Sequence, residues 1–536
     1  MTQKIIKDSI HGYIELEERF YNIINTPEFQ RLKSIEQGSF RVLYPAARHD
    51  RFIHSLGTYH LARKFSEYFI ENIREDIKIF LSEDLASTLI NTFLYAALLH
   101  DIGHAPFSHT TEKFFKEKYI NKEIAINKNL SEAIKRIVDK ERYNIFKCEF
   151  EGCSPSPHEI MSATILINNS EAFLQGSNDS IDLELAARMV IGCTYDYNNL
   201  KSANENEQNE YGVKNCFIRL LNSQTVDVDK LDYITRDTQM SGFLNVPIDI
   251  DRLVRSVTAI KDEDGFIYPA FRKNALSVID NVFRAKTEQG LWMVSHPVVL
   301  YDSELLSYCI TLLNNLINKK YIEKVFSIDA LSMSGIVFNR KRYRLLNDID
   351  VNSDLRQFYD SNKQIQELYD MKSRCFPLWK SYYEYKHLFG DYEDKVFGYF
   401  KSFMDYMKNS GYFTLNNESC ERICSDEAAS TTVKEVVIFL QDFFKKKSID
   451  LDLVILPSTN SFSPKFDPNY VYISFPKLPP NQQGKNYEKY SDLKSEIFTE
   501  NKRLFYVYTR ESLSTDVIKS FVLESKTKAL ASKKRV

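Results

Sequence analysis

The chain is poor in what several common protein classes are built from. Glycine accounts for only 16 of its 536 residues and proline for 15, which is little punctuation for a large protein of many short strands. No apolar run reaches the ~20 residues that cross a bilayer, so no membrane partner is expected. The eight cysteines are scattered between Cys148 and Cys424 with no CxxC pair. Cys420 and Cys424 stand nearest each other, but no histidine or second pair lies beside them, so the thiols read as buried and free rather than as a zinc knuckle. Lys4, Lys7 and Asp8 interrupt the opening residues, so a secretory leader is not expected and a reducing cytoplasm is the expected location. A net charge of -3 selects no anionic partner. The basic tail "SKTKALASKKRV" reads as a mobile, solvated end in preference to a nucleic-acid contact.

Aromatic residues are what the chain has in quantity: 32 tyrosines and 37 phenylalanines, within 43% hydrophobic and 27% charged residues overall. This is the composition of a soluble globular protein with long helices and aromatic cores, and its length suits roughly two to four domains. A helical apolar pattern follows Ile14, and Thr26-Pro27 restarts it with proline at a tolerated first-turn position. Residues 56–80 and 84–100 read as helices, the second apolar on nearly every face and therefore buried. The polar stretch "KSANENEQNEYG" (201–212) reads as a loop. Helices continue to about residue 330. Beyond it, a helical 352–410 precedes three strand-like runs, "LDLVILPS", "NYVYISF" and "RLFYVYT". The expected fold class is mainly α: an all-helical core over 1–330 and a smaller α+β region over 331–536.

One stretch carries chemistry. "LLHDIGHAPFSH" (98–109) holds three of the ten histidines, with Asp101 next to His100 at the end of the buried helix. Adjacent helical residues point about 100° apart and can grip one ion from two directions. A divalent cation also makes a buried carboxylate tolerable. Imidazole with carboxylate suits Mn, Fe, Zn or Ni better than Mg alone. Taken alone, the pair reads equally as a helix end with a charged histidine at the negative pole. Other segments add weight to the metal reading. "RFIHSLG" supplies His54, "SPHEIMS" supplies His158 at a helix start, and "DVDKLDYITRD" (227–237) crowds four aspartates around Lys230 and Arg236.

In this order the segments make the pattern H…HD…D, and the chain resembles the HD-domain phosphohydrolases. More closely it is similar to the deoxynucleoside triphosphate triphosphohydrolases, the dGTPase and SAM-and-HD-domain group. The likeness runs from "KIIKDSIHGYIEL" through "RFIHSLG" and "HDIGHAPFSH" to "DVDKLDY", across roughly residues 4–300. It implies an HD-domain core within 1–330, with His54, His100, Asp101 and Asp229 as metal ligands. It also implies catalytic roles for His104, His109, Glu112 and His158, where family members often carry Asp in place of Glu112. The implied reaction is attack at the α-phosphorus of a dNTP, giving a deoxynucleoside and tripolyphosphate. The divalent metal would be Mn, Fe, Mg, Zn or Ni, and Mg would accompany the triphosphate.

By the same resemblance, Lys230, Arg51 and Arg284 hold the phosphate chain. Tyr233 packs where a ribose 2′-OH would sit, Gln37 contacts the sugar 3′ side, and Asp237 belongs to the substrate pocket. Trp292 falls where relatives have Tyr. His109 is the first candidate for the acid that protonates the 5′ oxygen and His158 the second, with Glu112 orienting. The segment that binds a regulatory guanine nucleotide in relatives has Asn25, Gln30 and Lys33 here. Asn offers a donor and an acceptor where guanine needs two acceptors, so a pyrimidine such as dTTP is expected there rather than GTP. Relatives form tetramers or hexamers, so a homo-oligomer is expected, with 331–536 bracing it or carrying regulation. The alternatives are hydrolysis of another nucleotide, or a sensor that binds nucleotide or nucleic acid on the same scaffold. The expected biological role is nucleotide-pool control or defence.

Overall fold

The computed structural model describes residues 4–115, 126–175, 180–200, 204–243, 246–370, 375–460, 470–475, 484–486 and 502–532. The fold is mainly α. Two compact units divide the chain, and neither is one continuous stretch. The first comprises Met1–Gln289, Ile317–Ser353 and Ser463–Thr499; the second comprises Gly290–Leu316, Asp354–Phe462 and Glu500–Val536. Among the described residues no helix is long and apolar enough to cross a membrane.

The first unit opens with an antiparallel hairpin, β1 (Lys4–Asp8) and β2 (Gly12–Leu16). Two short helices follow, α1 (Glu18–Ile24) and α2 (Pro27–Gln30). Thr26 caps α2 by accepting from the Phe29 amide, and Pro27 stands in its first turn. The two long helices of the core are α3 (Arg51–Asp76) and α4 (Glu83–Leu99). Their first turns are closed by Asp50, which accepts from Ile53 N–H, and Ser82, which accepts from Leu85 N–H; such caps satisfy amides that have no partner within the helix. Nearly every residue from Leu89 to Leu99 is buried, as an all-round apolar helix requires.

Helix α5 (Pro157–Asn168) starts with a capping box between Ser156 and Glu159. Helices α6 (Leu183–Ile191) and α7 (Glu205–Leu221) follow. The polar 201–212 stretch expected as a loop is mostly the first turns of α7. Asn204 caps it and Glu207 reaches back to the Asn204 amide, so local capping chemistry overrides the polar composition. Helix α8 (Val228–Met240) begins at Asp227, whose carboxylate accepts from Lys230 N–H. Strands β3 (Val257–Lys261) and β4 (Ile267–Arg272) and helix α9 (Leu276–Gln289) complete the run. The strand-like "NYVYISF" does form a strand, Tyr472–Ser474, and it pairs parallel to β4 in the first unit.

In the second unit, strand Lys502–Thr509 pairs antiparallel with Asp452–Asn460 and with Phe376–Pro377. Helices Glu393–Asn409, Thr431–Lys446 and Thr515–Ser532 belong to the same unit. Its core is aromatic: the buried Trp379 ring lies within 6.5 Å of the Phe389, Phe505 and Phe521 rings. The basic tail expected to be a mobile end continues this last helix through Ser532. The Pro-rich loop 476–490 and the last four residues of the tail fall largely outside the described residues.

Gly103, one turn past α4, has a packing role that goes beyond breaking a helix. A Cβ there would lie 2.3 Å from the Ser162 backbone nitrogen and 2.6 Å from the Met161 carbonyl carbon of α5. The Gly103 amide also donates to Ser162 Oγ at 2.8 Å. The loop can therefore press onto the helix that carries His158 only without a side chain. Gly103→Ala is expected to destabilise the protein by about 1–3 kcal/mol, read as a lower urea midpoint; an unchanged midpoint would refute this packing role.

Candidate metal and acid-base site

Three helices deliver the central groups. His54 lies on the first turn of α3, His100 and Asp101 at the end of α4, and Asp229 on the first turn of α8. His54 Nε2 is 3.0 Å from Asp229 Oδ1, 3.3 Å from His100 Nε2 and 3.5 Å from Asp101 Oδ2. His100 Nε2 is 3.4 Å from Asp229 Oδ1 and 3.5 Å from Asp101 Oδ1. Ligands about 2.1 Å from one ion and separated by 90–110° stand about 3.0–3.5 Å apart, so His54, His100 and Asp229 fit a single divalent cation, and Asp101 borders them with one oxygen toward each histidine.

The nitrogens facing away from the centre give the same answer. His100 Nδ1 lies 2.9 Å from the Ala97 carbonyl, which can only accept, so Nδ1 carries the proton and Nε2 presents its lone pair. His54 Nδ1 likewise faces Asp232 Oδ2 at 2.7 Å. Fixing the tautomer from behind is what supports a metal-binding imidazole. Burial lowers the His54 pKa, but the hydrogen bonds to Asp229 and Asp232 outweigh it and hold the ring at about 10. Asp229 alone among the four has substantial exposure, with 32% of its side chain accessible, and it marks the open side of the centre.

Behind the centre stands a group that the sequence reading placed on the α8 face without assigning it a role. Asp232 is fully buried and accepts from His54, from His11 Nε2 at 2.6 Å, and twice from Arg236 at 2.8 Å. Arg236 also binds Asp8 at 2.9 Å. Gly57 makes room for this pair: a Cβ there would come 1.9 Å from Asp232 Oδ1. The i, i+4 spacing of Asp232 and Arg236 was the available signal for their pairing. His11, in the β1–β2 turn, had none.

Beside the centre lies a second cluster. Glu112 Oε1 meets His158 Nδ1 at 2.5 Å and His109 Nδ1 at 3.1 Å, with His104 Nδ1 at 3.8 Å. The His104 and His158 rings stack at 4.1 Å. These groups also gather closely enough to be considered as metal ligands. The Glu112 carboxylate takes a hydrogen bond from each of His158 and His109, as an acid-base cluster requires. Burial lowers the His158 pKa, while Glu112 more than offsets this, so His158 is raised above its ordinary 6.5. His104 is held well below 6.5, first by burial and then by Arg51 and His158. Its ring nitrogens have no hydrogen-bond partner among the described residues, although Nε2 lies 3.1 Å from Asp101 Oδ1. His109 is the exposed member, with 64% of its side chain accessible.

The residues expected around a substrate are placed as follows. Arg51 is buried, and it donates to Asp101 Oδ2 at 2.7 Å, to Ser108 Oγ at 3.0 Å and to the Gln37 carbonyl at 3.0 Å. Lys230 Nζ donates to Asp227 and to the Ser223 carbonyl. Asp237 accepts from His49 Nε2 at 2.7 Å and Gln289 Nε2 at 2.6 Å. The Tyr233 ring is 6.5 Å from His54. Arg284 is exposed. The cation that α9 brings to this place is instead Lys286, 4.4 Å over the Tyr233 ring and 3.2 Å from Gln289 Oε1. Two residues along a helix is about 200° around it, so Arg284 and Lys286 cannot share a face. Burial depresses Lys286 to about 8 despite Asp237 nearby. Trp292 falls in the second unit, stacked 6.0 Å from Tyr383. Asn25 and Lys33 are exposed, Lys33 over the Phe52 ring, and Gln30 donates to the Ile24 carbonyl.

Asp232→Asn keeps the volume but removes the charge that orients His54. It is expected to weaken metal binding about 10–100-fold, measured by titration of the metal-stripped protein, with the fold retained. Asp101→Ala is expected to abolish metal content; a full complement of metal in that variant would refute the ligand assignment.

Parts of this chain are similar to known proteins. The HD domain family model matches residues 51–163. The chain is 43% identical over 110 residues to the deoxynucleoside triphosphate triphosphohydrolase SAMHD1 of Bos taurus, covering 20% of this chain and 17% of that one. It is 27% identical over 297 residues to an uncharacterized protein of Methanocaldococcus jannaschii, covering 55% and 47% of the two chains. The chain spans about half the length of several curated relatives that it matches. A hypothetical protein from Aquifex aeolicus has the same fold, with a TM-score of 0.54 at 17% identity over 98% of this chain and 99% of the other. Residues 51–163 of this chain match the HD domain model, and part of the chain is similar in sequence to the deoxynucleoside triphosphate triphosphohydrolase SAMHD1.

Proposed function

We propose that the protein is a metal-dependent hydrolase of deoxynucleoside triphosphates that releases a deoxynucleoside and tripolyphosphate. The observation that carries this reading is the pairing of two clusters: the Asp101 and Asp229 oxygens within 3.5 Å of His54 and His100, and the three histidines around Glu112. His54, His100, Asp101 and Asp229 would hold a divalent ion, which would supply Lewis-acid polarisation of a phosphoryl oxygen and acidify its bound water. The neighbouring cluster supplies the proton that a 5′ oxygen needs to leave. His158, whose charged form Glu112 favours, and the exposed His109 are the candidate donors, while the neutral His104 stands beside Asp101. Tyr233 faces the sugar, and Lys286 with Lys230 adds positive charge for the phosphates. In the same reading Asn25, Gln30 and Lys33 receive a regulatory pyrimidine nucleotide such as dTTP in a homo-oligomer.

The test is incubation of the purified protein with each dNTP and NTP in the presence of Mn or Mg, followed by resolution of the products. Tripolyphosphate with deoxynucleoside is expected; pyrophosphate with dNMP would reject the reading. Stimulation by GTP with dTTP inert would reject the regulatory assignment.

A pH profile tests the acid. The His158 value is raised above 6.5, so its charge is fully present below 6.5 and is lost as the pH rises through the raised value. kcat/KM is therefore expected to decline on the alkaline side at a pH above 6.5, and Glu112→Gln should move that decline to lower pH. An alkaline limb left in place by Glu112→Gln would exclude His158 as the donor.

A further inference from the structure

We propose that Asp348, nearly two hundred residues beyond the HD domain, is a positioning residue for this site, its carboxylate clamping together the loops that carry Gln37 and His109. The proposal rests on the functional reading above. Asp348 Oδ1 accepts from the Phe107 amide at 2.6 Å and Oδ2 from the Glu36 amide at 3.0 Å. Phe107 lies two residues before His109, and Glu36 immediately precedes Gln37. Asp348 opens helix α10 (Asp348–Arg356), where an acidic residue is ordinarily explained by its own helix terminus. That explanation does not fit here. The neighbouring Asn347 and Asp350 make the local turn bonds, while both Asp348 oxygens reach to distant amides.

The geometry it holds is unfavourable on its own. Phe107 and Ser108 adopt φ of 59° and 52°, two consecutive side-chain-bearing residues in the left-handed region. This turn allows Ser108 Oγ to donate to the Glu36 carbonyl at 2.5 Å while accepting from Arg51 Nε at 3.0 Å. Arg51 in turn binds the Gln37 carbonyl and Asp101, and His109 follows directly to meet Glu112. A second brace holds the same segments: Arg31, fully enclosed, donates to the His104, Ile102 and Leu346 carbonyls at 2.9, 2.6 and 2.8 Å. Residues 346–348 are thus tied to the 102–107 loop at two points. Burying a carboxylate for this purpose is costly. Burial pushes Asp348 up to about 7 against the pull of the two amides and Arg41, with Glu36 adding to the rise, and Arg31 feels its charge.

The test compares Asp348→Asn, Asp348→Ala and Asp348→Glu in the full-length, metal-loaded protein, by amide hydrogen exchange, metal content and dNTP turnover. Asn retains one acceptor and turns a donor toward the second amide, so it breaks the clamp at near-constant volume. Faster exchange is expected in peptides covering 36–40 and 104–112, with α3 and α4 unchanged and metal retained. A misplacement of about 1 Å costs up to about 100-fold in rate, so kcat should fall about 10–100-fold with KM nearly unchanged, and Asp348→Glu should recover part of it. Unchanged exchange in those two peptides, or a rise spread evenly over the whole chain, would overturn the proposal. A wild-type protein that turns over no dNTP would defeat the functional reading, and the exchange pattern would still decide the role of Asp348. If Asp348→Ala does not fold, the Asn and Glu variants decide it.

Discussion

The site depends on one electrostatic constraint: the Asp101 and Asp229 carboxylates lie within 3.5 Å of the His54 and His100 Nε2 atoms in a helical core. Such a group is unstable without compensating charge, because desolvated anions lose far more than a hydrogen bond regains. Arg51 offsets Asp101 on one side. Arg236 offsets Asp232 from behind, and through it anchors the His54 ring. What remains is a pocket of donor atoms facing one another, and a bound cation relieves that repulsion most directly. The packing follows from this arrangement. Gly57 leaves room for Asp232, and Gly103 brings the end of α4 against α5.

Asp101 joins the two clusters. One oxygen takes Arg51, and the other stands 3.1 Å from His104. His104 lies between the metal-fitting centre and the proton-holding group and stays neutral because burial, Arg51 and His158 all disfavour its charge. The proton is displaced to His158, where Glu112 favours it. Neighbouring groups whose environments push their pKa values apart are the arrangement expected where one site both binds a cation and donates a proton.

Local spacing made legible only the His100–Asp101 pair at the end of a buried helix, which reads equally as a helix end. The set His54, His100, Asp101 and Asp229 came from the order of motifs that resembles the HD-domain family. The mainly α character and the strand runs near the end follow from the same local rules. Arg284 shows where those rules stop. Its charge suited the role, but helix phase aims it outward and turns Lys286 toward Tyr233. His11 and Asp348 were invisible for a different reason. Their partners lie 221, 241 and 312 residues away, and no local spacing records such a contact. The 201–212 stretch misled because its polar residues cap and start a helix, so composition and conformation diverge there.

The site is also asymmetric in charge, and this bears on how a triphosphate would be received. Lys230 is already bound to Asp227, a carboxylate pushed up to about 6 by burial and, despite Lys230, by Asp229. Lys286 instead rests on the Tyr233 ring and a neutral glutamine, contacts that an incoming phosphate displaces at little cost. In the proposed reaction the first phosphate contact therefore falls to Lys286. Lys230 joins only when a polyanion competes with Asp227 for it. A phosphate chain that draws Lys230 away leaves Asp227 buried without its cation, which favours its protonation.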